Sequence, residues 1–180
     1  MCSTTLNGGF TDIAEGIEAL VICDAGPLIH LDELNCLDLL RAFELIIPEV
    51  VLAETLCHRP DIHLPVHRVE PSGEFRKGRE IQHLQLDAGE LSAIELVLKY
   101  PGSVLLTDDG AARTAAKLLR IEVSGTLGIL LRAARTKERT IQEIRVLLGD
   151  LRSRSSLYVR QDLLARVLSE LDTFARGSGI

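Results

Sequence analysis

Short runs of consecutive apolar residues alternate along the chain with longer segments in which apolar residues recur every three or four positions. The runs resemble strands buried on both faces, and the longer segments have the period of amphipathic helices. The predicted strands are 19–23, 45–47, 66–69, 103–107 and 121–123. The predicted helices are 27–43, 48–56, 87–99, an Ala-rich helix after the fourth strand, and further helices from 126 onward, separated near 136–140 and 153–156. This alternation predicts an α/β fold, with a parallel sheet covered on both faces by right-handed crossovers.

The chain length of 180 residues, with 46% hydrophobic residues, suits one domain with a sizeable core. We expect residues 1–19 to form a lead-in, mobile or with a short extra helix, before a single domain at 20–180. The four cysteines are far apart and form no CxxC pair, which favours reduced thiols in a cytosol. No export signal or membrane-spanning run is evident, so we expect a cytoplasmic protein.

The formal net charge of −6 conceals a division along the chain. Residues 111–160 contain eleven Arg or Lys and four Asp or Glu, about +7, so the remaining residues carry about −13. A basic segment beside an acidic body could combine a phosphate-binding surface with metal-binding acids. The alternative is that these charges only solvate helix faces. The low aromatic content of 3% argues against stacking platforms for bases.

Acidic residues directly follow two of the predicted strands. Asp24 follows the first strand, and Asp108 and Asp109 follow the fourth. In an open parallel sheet the functional crevice lies beyond the carboxyl ends of the strands, so these carboxylates would meet if the two strands are neighbours. The competing interpretations are an Asx-turn at Asp24 and a helix N-cap within the aspartate pair.

Two glutamates lie on the apolar stripes of predicted helices. Glu54 follows Val50 and Val51 by four and three residues, and Glu90 shares a face with Ile94. An ionised carboxylate that faces a core needs a cation or several hydrogen-bond donors. The alternative for Glu54 is a salt bridge or exposure at the helix end, and for Glu90 it is closure of an Asp-x-x-Glu capping box.

Acids from two strand ends and two helices would form an oxygen-only site, which suits Mg²⁺ or Mn²⁺ rather than zinc or copper. Such ions neutralise phosphate and activate water. The sequence contains no GxxxxGK[ST], GxSxG or HExxH motif. It therefore lacks the usual signatures of a Walker nucleotide site, a serine hydrolase and a zinc protease, respectively. The helix start at Gly125–Gly128 could receive a phosphate, unless Thr126 simply caps that helix.

Five segments of the sequence carry a resemblance to a known family: VICDAGPLIHL, IIPEVVLAE, LDAGELSAIELV, LLTDDGAARTAAKLL and SGTLGILLRA. In this order, from about Val21 to Leu131, they resemble the PIN-domain superfamily of metal-dependent ribonucleases. They look closest to its prokaryotic toxin-like, VapC-related branch. The resemblance implies a three-layer α/β/α sandwich around a central parallel sheet, with an acidic Mg²⁺ or Mn²⁺ site that hydrolyses RNA phosphodiesters.

The resemblance also implies roles for individual side chains. The four acids of the family motifs fall on Asp24, Glu54, Glu90 and Asp109, which we predict to be catalytic. We predict metal ligation by Asp24, Glu90 and Asp109, and by the adjacent Asp108.

Two further positions match the family pattern and two depart from it. Thr107 matches a hydroxyl position that orients ligand or metal, and Arg113 matches a basic position that contacts phosphate or pairs with an acid, so both are predicted to bind substrate. Gly26 stands where many relatives have Ser or Thr. Glu90 stands where Asp is commoner, which moves the carboxylate outward by about one methylene. Both departures leave room for weak or lost activity.

The leading functional prediction is an Mg²⁺- or Mn²⁺-dependent endoribonuclease that is the toxin of a toxin–antitoxin pair. An antitoxin would cover the acidic cleft, and a homodimer would be the resting form. The apolar residues of the C-terminal helices would form an interface or cover the sheet. One rival is a catalytically weak or inactive PIN-like module that binds protein or RNA. Another, a receiver or phosphatase domain, is disfavoured because no DxDx[TV] follows the first strand and no Lys follows a late one.

Overall fold

The computed structural model describes residues 19–71, 73 and 78–177, so all but the last residue of the predicted lead-in 1–19 lies outside the described residues. The strands among them are β1 (Leu20–Cys23), β2 (Glu44–Pro48), β3 (Arg68–Glu70), β4 (Val104–Leu106) and β5 (Val123–Ser124). The α-helices are α1 (Ala25–Glu33), α2 (Glu49–His58), α3 (Ala88–Lys99), α4 (Gly110–Leu118), α5 (Thr126–Arg135), α6 (Ile141–Arg154) and α7 (Gln161–Gly177). A 3-10 helix covers Leu37–Ala42.

The five strands form one sheet in the order β3-β2-β1-β4-β5, and every neighbouring pair is parallel. The central strands β1 and β4 are neighbours, with Cys23 opposite Leu106. The Asp24 N–H continues this pairing, because it donates to the Leu106 carbonyl at 2.9 Å. The residues that follow β1 and β4 therefore lie side by side at the carboxyl edge of the sheet.

Helices cover both faces of the sheet, because successive side chains of each strand point to opposite sides. Val21 and Cys23 pack in a core with residues of α1, α5, α6 and α7, whereas Ile22 packs in a second core with residues of α3 and α4. The α/β prediction and the three-layer sandwich are confirmed. No helix in the described part of the chain is both long and apolar enough to cross a bilayer.

The helix predicted over 27–43 is shorter than expected and begins earlier. It starts at Ala25, because Asp24 caps its first turn, and it ends at Glu33. Asn35 follows in the left-handed region with φ 55°, which turns the chain before the 3-10 helix. A local hydrogen-bonding turn therefore interrupts what the apolar pattern indicated as one helix.

The two edge strands are displaced from their predicted positions by about two residues. The apolar run 66–69 predicted a strand that in fact begins at Arg68, since Val66 is almost fully exposed. The last strand begins at Val123, because the Ile121 N–H donates to the Ala116 carbonyl at 2.8 Å and so closes the end of α4.

The C-terminal helices cover the sheet, as one of the two sequence interpretations proposed. Val167 and Leu171 of α7 are fully buried in the core. The segment 155–160, which we call the strap, joins α6 to α7 and is held by Glu33 at the end of α1. One Glu33 oxygen, Oε2, accepts hydrogen bonds from the Ser156 N–H at 2.7 Å and from the hydroxyls of Ser155 and Ser156 at 3.0 Å.

Candidate active site

Asp24 lies between β1 and α1 with its side chain almost completely buried. Its Oδ1 accepts the Ala25 N–H at 2.9 Å, and its Oδ2 accepts the Thr107 hydroxyl at 2.8 Å. Burial raises the pKa of Asp24 to about 6; the two hydrogen bonds lower it, and the charges of Asp87 and Glu54 raise it. The charged form of Asp24 is therefore costly until a cation compensates it.

Thr107 connects Asp24 to the segment that follows β4. Its hydroxyl donates to Asp24 and accepts the Asp109 N–H at 3.1 Å. The residue is 0% exposed, so it cannot contact a substrate. The prediction of substrate binding by Thr107 is corrected: this hydroxyl positions the Asp24 carboxylate.

Asp109 and Glu90 meet at the starts of two helices. Asp109 caps α4, where its Oδ1 accepts the N–H groups of Ala111 at 2.6 Å and Ala112 at 2.8 Å. The Asp109 carboxyl interacts with the Glu90 carboxyl and is one cause of the raised pKa of Glu90. The charged form of Glu90 is therefore costly unless a cation compensates it.

Glu90 also closes the start of its own helix. Its Oε2 accepts the Asp87 N–H at 2.9 Å, and the Asp87 Oδ1 accepts the Glu90 N–H at 2.8 Å, which completes the capping box. Burial raises the pKa of Glu90 most; the Asp87 N–H lowers it, and the hydrogen bond to Asp109 and the charges of Asp109 and Asp87 raise it. The capping interpretation and the inward-facing interpretation of Glu90 are thus both correct.

Glu54 approaches the same helix start from α2. Burial raises its pKa, the charge of Asp87 raises it further, and His58 lowers it. A Cβ atom at Gly89 would lie 3.0 Å from Glu54 Oε2 and 3.3 Å from Asp87 Oδ1, closer than ordinary contact. Gly89 therefore allows the Glu54 carboxyl to reach α3.

Asp87 is an acid of this site that the sequence analysis missed. Its charge raises the pKa of Asp24, Glu54 and Glu90, which shows that it lies among them. Asp87 was not predicted to be part of the site, because its position as the first residue of a capping box already accounted for its carboxylate. The available signal was its position one turn before an inward-facing glutamate.

Five carboxyl groups therefore gather beyond β1 and β4, and none of them forms an ion pair with a lysine or arginine of the described residues: Asp24, Glu54, Asp87, Glu90 and Asp109. This oxygen-only set fits Mg²⁺ or Mn²⁺ in donor type and charge. As the side chains stand, no group of three acids, histidines or cysteines in 19–71, 73 and 78–177 is placed to hold one ion together. Ion binding thus requires these side chains to move closer together than they stand here.

Asp108 points away from these acids. Its Oδ1 accepts the Thr126 N–H at 2.9 Å, and its Oδ2 accepts the Thr126 hydroxyl at 2.6 Å and lies 2.9 Å from His30 Nδ1. Both carboxyl oxygens are occupied, so we withdraw Asp108 from the predicted metal ligands. Its carboxylate instead binds the start of α5, where the sequence analysis had allowed for an external phosphate or for Thr126 as the cap.

Gly125 makes this contact possible. It occupies the N-cap position of α5, and a Cβ atom there would lie 2.5 Å from Asp108 Oδ1 and 3.0 Å from the Thr107 carbonyl oxygen. Any side chain would displace Asp108 or the backbone after β4. Gly26 is different, because a Cβ there would make ordinary contacts of 3.6 Å with the His30 ring and 3.8 Å with Asp108.

Arg113 lies behind the acid site. Its Nη1 donates to the Thr107 carbonyl at 3.0 Å. Burial lowers the pKa of Arg113, and the charge of Asp108 raises it. The guanidinium lines a cavity of about 280 Å³ together with Asp108 and Gly125. Arg113 is therefore next to the segment that carries Asp109, on the side opposite the acids.

We compared the sequence with models of known protein families, with curated proteins and with solved structures. The family model DUF3368, described as a PIN domain, matches residues 20–173, which include the whole sheet and all five acids. Neither the curated proteins nor the solved structures give a match. PIN domains are generally nucleases, hydrolases of phosphodiester bonds, and typically use divalent metals. On the extent of this match, the chain belongs to the PIN-domain family.

Proposed function

We propose that this PIN domain is an Mg²⁺- or Mn²⁺-dependent endoribonuclease. The observation that carries the proposal is the gathering of Asp24, Glu54, Asp87, Glu90 and Asp109 without a described basic partner. Burial and the neighbouring negative charges make the charged forms of Asp24, Glu54 and Glu90 costly, and a divalent cation offsets both.

Each side chain of the site has a distinct part in this proposal. Asp24, Glu54, Glu90 and Asp109 would hold the ion or ions, and Asp87 adds negative charge. Thr107 holds the Asp24 carboxylate in one orientation. A bound Mg²⁺ or Mn²⁺ supplies charge neutralisation at the phosphodiester and activates water.

RNA as the substrate is supported by the basic segment 111–160, although much of its charge is neutralised within the protein. Ion pairs join Arg132 to Glu138, Arg139 to Asp38, Arg145 to Asp172, Arg154 to Asp150 and Arg160 to Asp162. The more exposed of these pairs, such as Arg160 with Asp162, contribute little to stability, so phosphates can compete for their arginines.

We further propose that the protein acts in the cytoplasm as the toxin of a toxin–antitoxin pair and rests as a homodimer. The family match is to the PIN domain as a whole, so this role rests on the sequence resemblance and on one surface. Val50 and Leu56 are about two-fifths exposed on α2, the helix that carries Glu54. An antitoxin that covers the acid site would bury them, and growth arrest on expression, relieved by Asp24→Asn, is the expected phenotype.

A catalytically inactive module that binds protein or RNA is the second candidate. It is favoured by the observation that Glu90 and Asp109 already serve as helix caps. The two candidates differ in their response to metal, because a capping role alone needs no cation.

The test is cleavage of a panel of labelled RNAs by the purified protein with Mn²⁺ or with EDTA. Asp24→Asn and Asp109→Asn should each lower the cleavage rate by at least a hundredfold, whereas asparagine retains the capping acceptor and so the fold. Asp150→Asn, on the solvent side of α6 where Asp150 pairs with Arg154, is the control for loss of one negative charge. Equal cleavage by all four proteins, or cleavage that persists in EDTA, would refute the proposal. Metal-independent RNA binding without cleavage would favour the inactive module.

A further inference from the structure

The cavity behind the acid site has features that the proposed chemistry does not use. It encloses about 280 Å³ between α4, the start of α5, the strap and α7. Two arginines line it, Arg113 from α4 and Arg166 from α7, and Tyr158 of the strap lies at the same site. Asp108 forms part of the cavity wall, so the cavity lies directly beside the segment that carries Asp109. This size suits one small ligand unit rather than a folded partner.

Tyr158 is held in an exposed position by an anchored backbone. The residue is 86% exposed, whereas its neighbours Leu157 and Val159 pack against the core. Glu33 binds the strap through Ser155 and Ser156. An exposed aromatic ring on a fixed segment is a stacking platform for an unpaired base. The low aromatic content argued against such platforms, but one of the few rings in the chain occupies this position.

The two arginines of the cavity differ in how firmly they are held. Arg113 donates to the Thr107 carbonyl and is half-buried. Arg166 is exposed, and its contacts with Asp162 are long, 3.4 Å to the carbonyl and 3.3 Å to the carboxylate. An exposed pair of this geometry contributes little, so the Arg166 guanidinium can turn toward a phosphate.

We propose that this cavity is a nucleotide subsite for single-stranded RNA, in which one base stacks on Tyr158 and an adjoining phosphate pairs with Arg166 and Arg113. The inference rests on the proposed nuclease function and extends it, because the subsite would hold the same RNA strand at a second point, away from the acids. The exposed ring favours a nucleic acid over an acidic peptide, since bases stack face to face on an aromatic ring, whereas the negatively polarised ring face repels carboxylates.

Binding of a short, fluorescently labelled single-stranded RNA to the full chain in EDTA tests the subsite without cleavage. Tyr158→Ala should weaken binding at least fivefold, and Tyr158→Phe, which keeps the ring, should bind within about twofold of the wild type. Arg166→Gln should weaken binding and lower the slope of log affinity against log salt by about 0.7. The matched control is Arg176→Gln on the same helix, because Arg176 makes the same contact to the carbonyl four residues back, at 3.2 Å, and does not line the cavity.

A second strand with one abasic position, moved along the sequence, identifies the stacked base. At one position the missing base should abolish the difference between the wild type and Tyr158→Ala. Wild-type affinity in both Tyr158→Ala and Arg166→Gln would overturn the inference, as would an equal loss for every abasic strand. Binding of a labelled glutamate-rich peptide that RNA does not displace would overturn it in favour of an acidic protein partner.

Cleavage assays on the same variants separate this inference from the proposed function. If the wild type cleaves and Asp24→Asn does not, but the Tyr158 and Arg166 variants bind and cleave normally, the subsite alone is refuted. If no RNA is cleaved but the expected pattern of binding is found, the nuclease proposal fails and the subsite is supported.

Discussion

Asp24, Asp87, Glu90 and Asp109 each have two roles, because each caps a helix and each belongs to the acid site. A cap contributes about 1 kcal/mol, and the helix start partly offsets the negative charge of the cap. Substitution by alanine would therefore remove stability and chemistry together. Asparagine and glutamine separate the two, since they retain one acceptor oxygen for the cap and replace the charged carboxylate by a neutral amide.

Glu90→Gln is expected to stabilise the metal-free protein at pH 8 and to leave its stability nearly unchanged near pH 4. The folded state raises the pKa of Glu90 above its ordinary 4.5, so wild-type stability falls as the pH rises from 4.5 through the folded pKa. Glutamine stays neutral, can accept the Asp87 N–H and can donate to Asp109. The free energy of unfolding in urea and EDTA should exceed the wild-type value by on the order of 1 kcal/mol at pH 8. A difference that does not vary with pH would contradict the raised pKa of Glu90.

Thr107→Val is expected to lower stability by about 1–3 kcal/mol, because it leaves the buried Asp24 oxygen without its donor. Valine has nearly the same shape as threonine, so the loss of stability measures the contribution of the hydroxyl group. Thr107→Ser is the matched control, since it keeps the hydroxyl and removes a methyl group. Chemical denaturation measures stability, and the cleavage rate with Mn²⁺ should fall more for valine than for serine. An equal loss in both variants would show that packing, and not the hydrogen bond, matters here.

At the scale of the elements, the apolar periodicity predicted the central strands and most helices, because burial and backbone hydrogen bonding act together there. Prediction failed at Asn35, Arg68 and Val123, where local turns and edge pairing decide the boundary. The sequence of an edge strand does not show which residues of the neighbouring strand it pairs with. The two-residue displacement of β3 and β5 therefore has no local signal in the sequence.

The assignment of Asp108 shows what the sequence analysis overlooked at the site. The chain after β4 is extended, so alternate side chains point to opposite sides. Thr107 and Asp109 face the acids, and Asp108 faces Thr126 and His30. The alternation could have been applied from the sequence, whereas the identity of the partners depended on the fold.

Gly89→Ala is expected to separate stability from activity at the contact between α2 and α3. Alanine in a helix is favoured over glycine by roughly 0.5–1 kcal/mol, but its Cβ would lie 3.0 Å from Glu54 Oε2. Glu54 is a flexible side chain and can move, so the melting temperature should be equal or higher while Mn²⁺-dependent cleavage falls severalfold. The control is Gly149→Ala in α6, where a Cβ meets nothing within 4 Å. Unchanged cleavage in Gly89→Ala would remove Glu54 from the site.

For the whole molecule, the acid site should make stability depend on divalent metal. At pH 8, Mn²⁺ at about 100 times its dissociation constant should stabilise the wild type by about 2.7 kcal/mol. The effect should shrink as the pH falls below about 6, where Asp24 becomes protonated. Thermal unfolding with Mn²⁺ and with EDTA measures this, and Asp24→Asn should remove most of the shift while Asp150→Asn retains it. A shift of equal size in both variants would place the ion elsewhere.

The short helix α1 joins two parts of the molecule that would otherwise be independent. Asp24 caps its first turn, and Glu33 at its other end holds the strap that carries Tyr158. Nine helical residues span about 13 Å and do not stretch, so the separation between an anchored base and the bond to be cut is fixed. Such an enzyme would cut at a constant number of nucleotides from the base it grips, and fragments shorter than that separation would escape further digestion.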